Sequence, residues 1–207
     1  CPPSERYKVV ILGDKPWGLY VMGSADGNEF RLLSREPAIT EGAFDSQNLM
    51  FWDPVRREYR EYHRVLVNNC RDIATAASPD PLRFPTPRLL RYPGAPRQQL
   101  YTNQIAPYYR APHLFLGFPA RYTKRSWDTP LYALPGLEER LARARAHERY
   151  GAVLTDTLFM SSRDGRTFRR WSEAFIRPGP QQRGSWVYGD NYTCWGMIET
   201  PSALEEA

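Results

Sequence analysis

The sequence predicts an all-β protein assembled from repeated four-stranded antiparallel units, and three observations predict it. One short pattern returns three times with identical spacing: Ser24-Ala25-Asp26-Gly27 then Phe30, Ser78-Pro79-Asp80-Pro81 then Phe84, and Ser162-Arg163-Asp164-Gly165 then Phe168. Extended runs of apolar or small residues flank each copy. The 19 prolines and 14 glycines among 207 residues exceed what a helix bundle would accommodate, because proline lacks an amide donor and glycine marks special backbone angles.

Each unit reads as strand, tight turn, strand. Leu19 to Met22, Ile73 to Ala77 and Thr157 to Met160 lead into the turns, and Arg31 to Ile39, Pro85 to Tyr92 and Arg169 to Ile176 lead away. Within a turn the aspartate can accept backbone N–H groups two residues on, Gly or Pro sets the angle, and the aromatic packs inward. The aspartate-to-aspartate steps are 54 and 84 residues. The excess falls on Thr123 to Gly151, where Leu137 to Ala146 is a run of strong helix formers. Subtracting those 29 residues as an insertion leaves 55, and a period of 54 to 55 suits four short strands, the blade of a β-propeller.

The first half of the unit recurs as well. Phe44-Asp45-Ser46-Gln47-Asn48 leads into Leu49-Met50-Phe51-Trp52, the turn Asp53-Pro54, and the alternating run Glu58 to His63. Tyr101 to Tyr109 followed by His113 to Phe118 is a second copy, and Asp190 to Gly196 opens a third. The predicted organisation is the latter half of a blade over 1–42, a full blade over 43–97, a full blade over 98–180 with the helical insertion 123–151, and the start of another over 181–207. About three blades cannot close a ring, so flanking sequence or another copy is expected to supply the remainder.

Composition excludes several function classes. The longest early apolar run, Val9 to Leu12, is far below the ~20 residues of a membrane helix, and neither a membrane nor a signal segment is read; a secreted or periplasmic location is compatible. Of the 28 basic residues only Lys8, Lys15 and Lys124 are lysine; the arginines are scattered through the chain, so the net charge of +5 does not predict a nucleic-acid partner. Cys1, Cys70 and Cys194 are far apart, and His63, His113 and His147 stand alone, so no metal is expected. No phosphate loop, dinucleotide fingerprint or nucleophile elbow occurs, and no cofactor is predicted. Asn191-Tyr192-Thr193 is a glycosylation sequon.

The start of each innermost propeller strand lies at the mouth of a central funnel. Asp45, Gln47, Asn48, Asn103, Gln104, Asp190 and Asn191 are polar at such positions, as a sugar-hydroxyl site requires, since hydroxyls need paired donors and acceptors. Trp195, beside the last of these strands, is the candidate for stacking against a sugar ring.

The segment Phe44 to Asn48 through Phe51-Trp52-Asp53-Pro54 to Tyr59-Arg60-Glu61-Tyr62, with Arg71-Asp72-Ile73-Ala74-Thr75-Ala76 and the later Leu154-Thr155-Asp156 to Phe168-Arg169-Arg170-Trp171, resembles blades of the five-bladed glycosidase propellers related to glycoside hydrolase families 32, 43, 62 and 68. The resemblance implies hydrolysis of glycosidic bonds by funnel carboxylates, with Asp45 as a catalytic carboxylate and carbohydrate as ligand. This chain departs from the pattern at the proton donor, where Asn103 and Gln104 stand in place of a glutamate and an amide cannot protonate a leaving alcohol. Two further readings are a carbohydrate-binding propeller without catalysis and a protein-interaction propeller with patches on its rim.

Overall fold

The computed structural model describes residues 1–179 and 191–201. Among the described residues it shows a mixed α/β arrangement of four separate open sheets and two α-helices, which corrects the expected all-β propeller. The first sheet holds β1 (Tyr7–Asp14), β2 (Trp17–Ser24) and β3 (Arg31–Leu32), and the second is the meander β4 (Leu49–Asp53), β5 (Glu58–Val67), β6 (Cys70–Ser78) and β7 (Arg88–Leu89).

The strands expected to make one further blade are divided between two sheets. β9 (Ala106–Tyr108), β10 (Ala111–Gly117), β13 (Met160–Ser162) and β14 (Phe168–Arg170) form one; β8 (Gln99–Leu100), β11 (Ala120–Thr123) and β12 (Leu154–Thr157) form the other. Among the described residues the strands named here all pair antiparallel, and one isolated bridge, Arg91 with Thr167, is parallel. Thr157 to Met160, read as one strand, spans the end of β12 and the start of β13, because Thr157 pairs with Ala120 whereas Met160 pairs with Gly117. Between β11 and β12 lie α1 (Thr129–Tyr132) and α2 (Leu137–Ala146). Glu138 and Glu139 in the first turn of α2, and Arg143 and Arg145 in the last, complement its dipole.

The three recurring turns share one hydrogen-bond pattern, which explains why they recur without specifying a ring. Ser24 Oγ accepts from Gly27 N at 2.9 Å while Asp26 Oδ1 accepts from Asn28 N and Glu29 N. Ser162 and Asp164 repeat this with Gly165, Arg166 and Thr167, and the shorter Pro81 version keeps the bonds from Asp80 N and Leu82 N. Gly27 and Gly165 sit at φ +83° and +74°, conformations that glycine adopts without strain. The geometry is local to each hairpin and does not dictate how sheets are placed relative to one another.

The main core joins the second sheet to the β9–β14 sheet. Tyr62 and Ile73 from one meet Phe115, Met160 and Phe168 from the other, with Leu90, Leu100, Ile105 and Leu158 filling between them. A smaller core of Leu19, Ile39 and Phe44 holds the first sheet. On β5 the alternation divides Arg60, Tyr62 and Arg64 from Glu61 and His63, and both sets are buried, so the strand is covered on both faces.

Candidate functional site

The loop before β4 and the loop between β8 and β9 meet through side-chain amides. Gln47 Nε2 donates to Gln104 Oε1 at 2.6 Å, and Gln47 Oε1 accepts from the backbone N–H groups of Asn103 and Gln104 at 3.4 and 3.3 Å. Gln104, held at φ +48°, donates its Nε2 to Thr193 O at 2.6 Å, which ties in the segment 191–195. Ser46 Oγ donates to Tyr101 O, and Trp195 Nε1 donates to Ile105 O at 2.9 Å. Three chain segments far apart in sequence are thus knotted at one place.

Of the residues singled out in the sequence, Gln47, Asn103, Gln104 and Trp195 belong to this knot. Asn103 is almost fully buried: its Nδ2 reaches Tyr62 O, and its Oδ1 accepts from Ile105 N. Asn48 braces its own loop by donating to Phe44 O and Ser46 O. Asn191 is anchored elsewhere, its backbone N–H on Thr155 Oγ1 and its amide on Ile176 O. Asp190 lies outside the described residues. The amides therefore meet each other's needs and those of the backbone, which a buried polar group requires.

Two of the singled-out side chains face outward. The Asp45 side chain is 67% exposed and pairs with the Arg64 guanidinium, which rests 5.1 Å from the Tyr101 ring centre. Trp195 keeps 49% of its surface open while its N–H is fixed on Ile105 O. An anchored ring with an open face and an exposed carboxylate braced by the buried Arg64 guanidinium offer an apolar plate together with directional acceptors.

Sequence reasoning missed two further features. Glu61 and His63 are completely buried, with Glu61 Oε2 and His63 Nδ1 2.7 Å apart. Burial raises the Glu61 carboxyl above its ordinary pKa, opposed by the hydrogen bond with His63. Among the described residues Glu61 Oε1 and His63 Nε2 have no hydrogen-bond partner, and Phe44 closes over the imidazole edge-on at 5.1 Å. The i, i+2 spacing in an alternating strand was the available signal. The second feature is a cavity of about 680 Å³ beside α2, lined by Arg71, Tyr122, Lys124, Trp127 and Arg149 among others. Its signal was the interleaving of basic and aromatic residues in Arg121 to Trp127, which the insertion reading passed over.

Among the described residues no cluster of three or more His, Cys, Asp or Glu side chains is placed to hold a metal ion, and no helix is long and apolar enough to cross a membrane. No protein family matches the chain, and no curated protein sequence matches it. Among solved structures, the chain is similar to an N-acetylgalactosamine deacetylase from F. plautii, crystallised in complex with blood group B trisaccharide, with a TM-score of 0.51 at 12% identity. The similarity covers 84% of this chain and 53% of that one, so the chain spans about half the length of the protein it matches. The likeness is one of fold alone. With the open sheets described above, it overturns the resemblance to propeller glycosidases and, with it, the expected glycosidic hydrolysis by funnel carboxylates.

Proposed function

We propose that this chain recognises carbohydrate through the outward face of the knot, with Trp195 as the stacking plate and the Asp45–Arg64 pair as the hydroxyl-binding group. The observation that carries the reading is the anchored indole. Its N–H is committed to Ile105 O, so the ring is held in one orientation while about half of its surface stays open. Preorganisation of this kind lowers the ordering cost that otherwise weakens sugar binding. Gln47, Gln104 and Thr193 position the two exposed groups by joining their loops, and Asn48, Asn103 and Asn191 hold the backbone around them. The similar deacetylase was solved with a trisaccharide, which supports choosing carbohydrate as the ligand class.

The test is calorimetric titration with blood group B trisaccharide and with free galactose. Trp195→Ala and Asp45→Asn are each expected to weaken binding about tenfold or more, the scale of one lost stacking or charge-assisted contact. Both substitutions are at exposed positions and should leave the melting temperature nearly unchanged. Binding undiminished in both variants, or absent from a neutral glycan array, would overturn the assignment.

A further inference from the structure

The cavity beside α2 differs in chemistry from the knot. It is built where β11 leads into the helical segment, and its floor is a stack of rings and a guanidinium. Arg71 Cζ lies 4.5 Å from the Tyr122 ring centre and 5.2 Å from that of Tyr101, and Arg71 Nη1 donates to Gln99 Oε1 at 2.7 Å. Arg71 Nε is buried without an acceptor among the described residues. On the opposite wall Trp127 donates its Nε1 to Glu148 O at 3.1 Å, which fixes the indole against the turn that follows α2.

Charge in this cavity is unbalanced. Arg71, Lys124, Arg125 and Arg149 line it against the single carboxylate of Glu148. Arg71, Lys124 and Arg149 form no ion pair among the described residues, whereas Arg56, Arg60, Arg64 and Arg121 elsewhere are each paired with a carboxylate. Like charges gathered in a concave site repel one another, and a bound anion relieves that repulsion. The volume of about 680 Å³ lies within the range of small-ligand pockets.

We infer that this cleft binds a saccharide carrying an anionic substituent, a carboxylate or a sulfate ester. The cations Arg71, Lys124 and Arg149 would face the oxyanion, Trp127 and Tyr122 would meet the C–H face of the ring, and the amides of Asn69 and Gln99 would address its hydroxyls. An isolated oxyanion would leave those rings and amides without a function. A long polyanion needs a continuous charged track, whereas Arg71, Lys124 and Arg149 line a single concave cavity. The sugar part of the inference rests on the carbohydrate reading above; the anionic part rests on the cleft itself.

The experiment titrates the protein with galactose 6-sulfate, glucuronate, galactose, inorganic sulfate and a single-stranded oligonucleotide, following calorimetric heat and tryptophan fluorescence. At least one of the two acidic sugars is expected to bind ten times more tightly than both galactose and inorganic sulfate, and which of the two does so identifies the substituent. Raising sodium chloride from 50 to 500 mM should weaken that binding several-fold. Lys124→Gln and Arg149→Gln, singly and together, should weaken it about tenfold when combined, with circular dichroism and melting temperature as the control for folding. Arg35→Gln, which removes an exposed cation outside both sites, should leave it unchanged. Acidic sugar bound no better than galactose, no better than inorganic sulfate, or less tightly than the oligonucleotide would overturn the inference. Acidic sugar bound at the cleft while neutral sugars fail at Trp195 would uphold it and refute the reading of the knot.

Discussion

The β4–β7 meander and the region from β8 to β14 are built from similar strands, yet they differ in how chain order relates to sheet order. In the meander each strand pairs with its successor, and the register runs unbroken from Tyr59 opposite Ser78 to Val67 opposite Cys70. From β8 onward the chain alternates between two sheets: β8 pairs with β11 and β10 with β13, past intervening strands, and β11 pairs with β12 only across the helical segment. Local hydrogen-bond chemistry suffices for the first arrangement. The second depends on contacts between residues about 20 to 45 positions apart, for which short patterns hold no information.

The sharpest way to break this comparison is to ask whether the two regions unfold separately. Phe115 of β10 is fully buried, tilts against Phe51 of β4 at 6.2 Å, and lies 4.8 Å from the Arg56 guanidinium. Phe115→Ala is expected to cost about 3–5 kcal/mol, the range for a buried phenylalanine truncated to a cavity, within a single cooperative urea transition. Two separated transitions would show that the interleaved region is an independent unit.

A smaller effect is expected at a buried hydrogen bond that joins the meander to the third turn. Tyr62 Oη of β5 donates to Gly165 O at 2.7 Å, and a Cβ at residue 165 would lie 2.9 Å from the same hydroxyl. Tyr62→Phe leaves that carbonyl without its donor at a site closed to water, so a loss of about 1–2 kcal/mol is expected. At this chain length the loss corresponds to a fall of roughly 2–8 °C in melting temperature. A variant as stable as the parent would mean that the turn is held by its own Ser162 and Asp164 bonds alone.

The same contrast explains what was legible in the sequence. The Ser-x-Asp turns, the alternation over Glu58 to His63 and the helix-forming run Leu137 to Ala146 express themselves within a few residues, and the structure contains each of them. The radial arrangement was an extrapolation from periodicity, and periodicity in turns does not fix sheet placement. The amides at 47, 103 and 104 were found because polar residues before apolar strands stand out. Their use as internal braces was not legible, since it depends on Gln47 meeting Gln104 across 57 residues. The cleft was hidden for the same reason: Arg71 and Tyr122 are 51 positions apart and meet only because β8, β11 and β12 share a sheet next to β6.

The smallest expected effects concern pH, and they have opposite signs in the two regions. Asp164, in the third turn, is lowered to about 2 from its ordinary 3.8 by the N–H groups of Thr167 and Arg166, against a desolvation that acts the other way. Its native form releases its proton more readily than the unfolded chain does, so its contribution is present above pH 3.8 and disappears as the pH falls toward 2. The group is largely solvated, which screens the effect, and Asp164→Asn should flatten the acid limb by only a degree or two in melting temperature. Glu61, in the meander, is raised by burial, so the native state holds a proton that the unfolded chain has given up once the pH passes 4.5. Its contribution therefore declines as the pH rises above 4.5, and Glu61→Gln, which keeps a hydrogen-bonding oxygen for the His63 ring, should remove that decline while leaving stability near pH 4 unchanged. Melting temperatures of both variants between pH 2 and pH 8 separate the two contributions. A Glu61→Gln profile parallel to that of the parent above pH 4.5 would mean that the buried carboxylate stays ionised against His63, and that the meander, like the turns, keeps its charges paired.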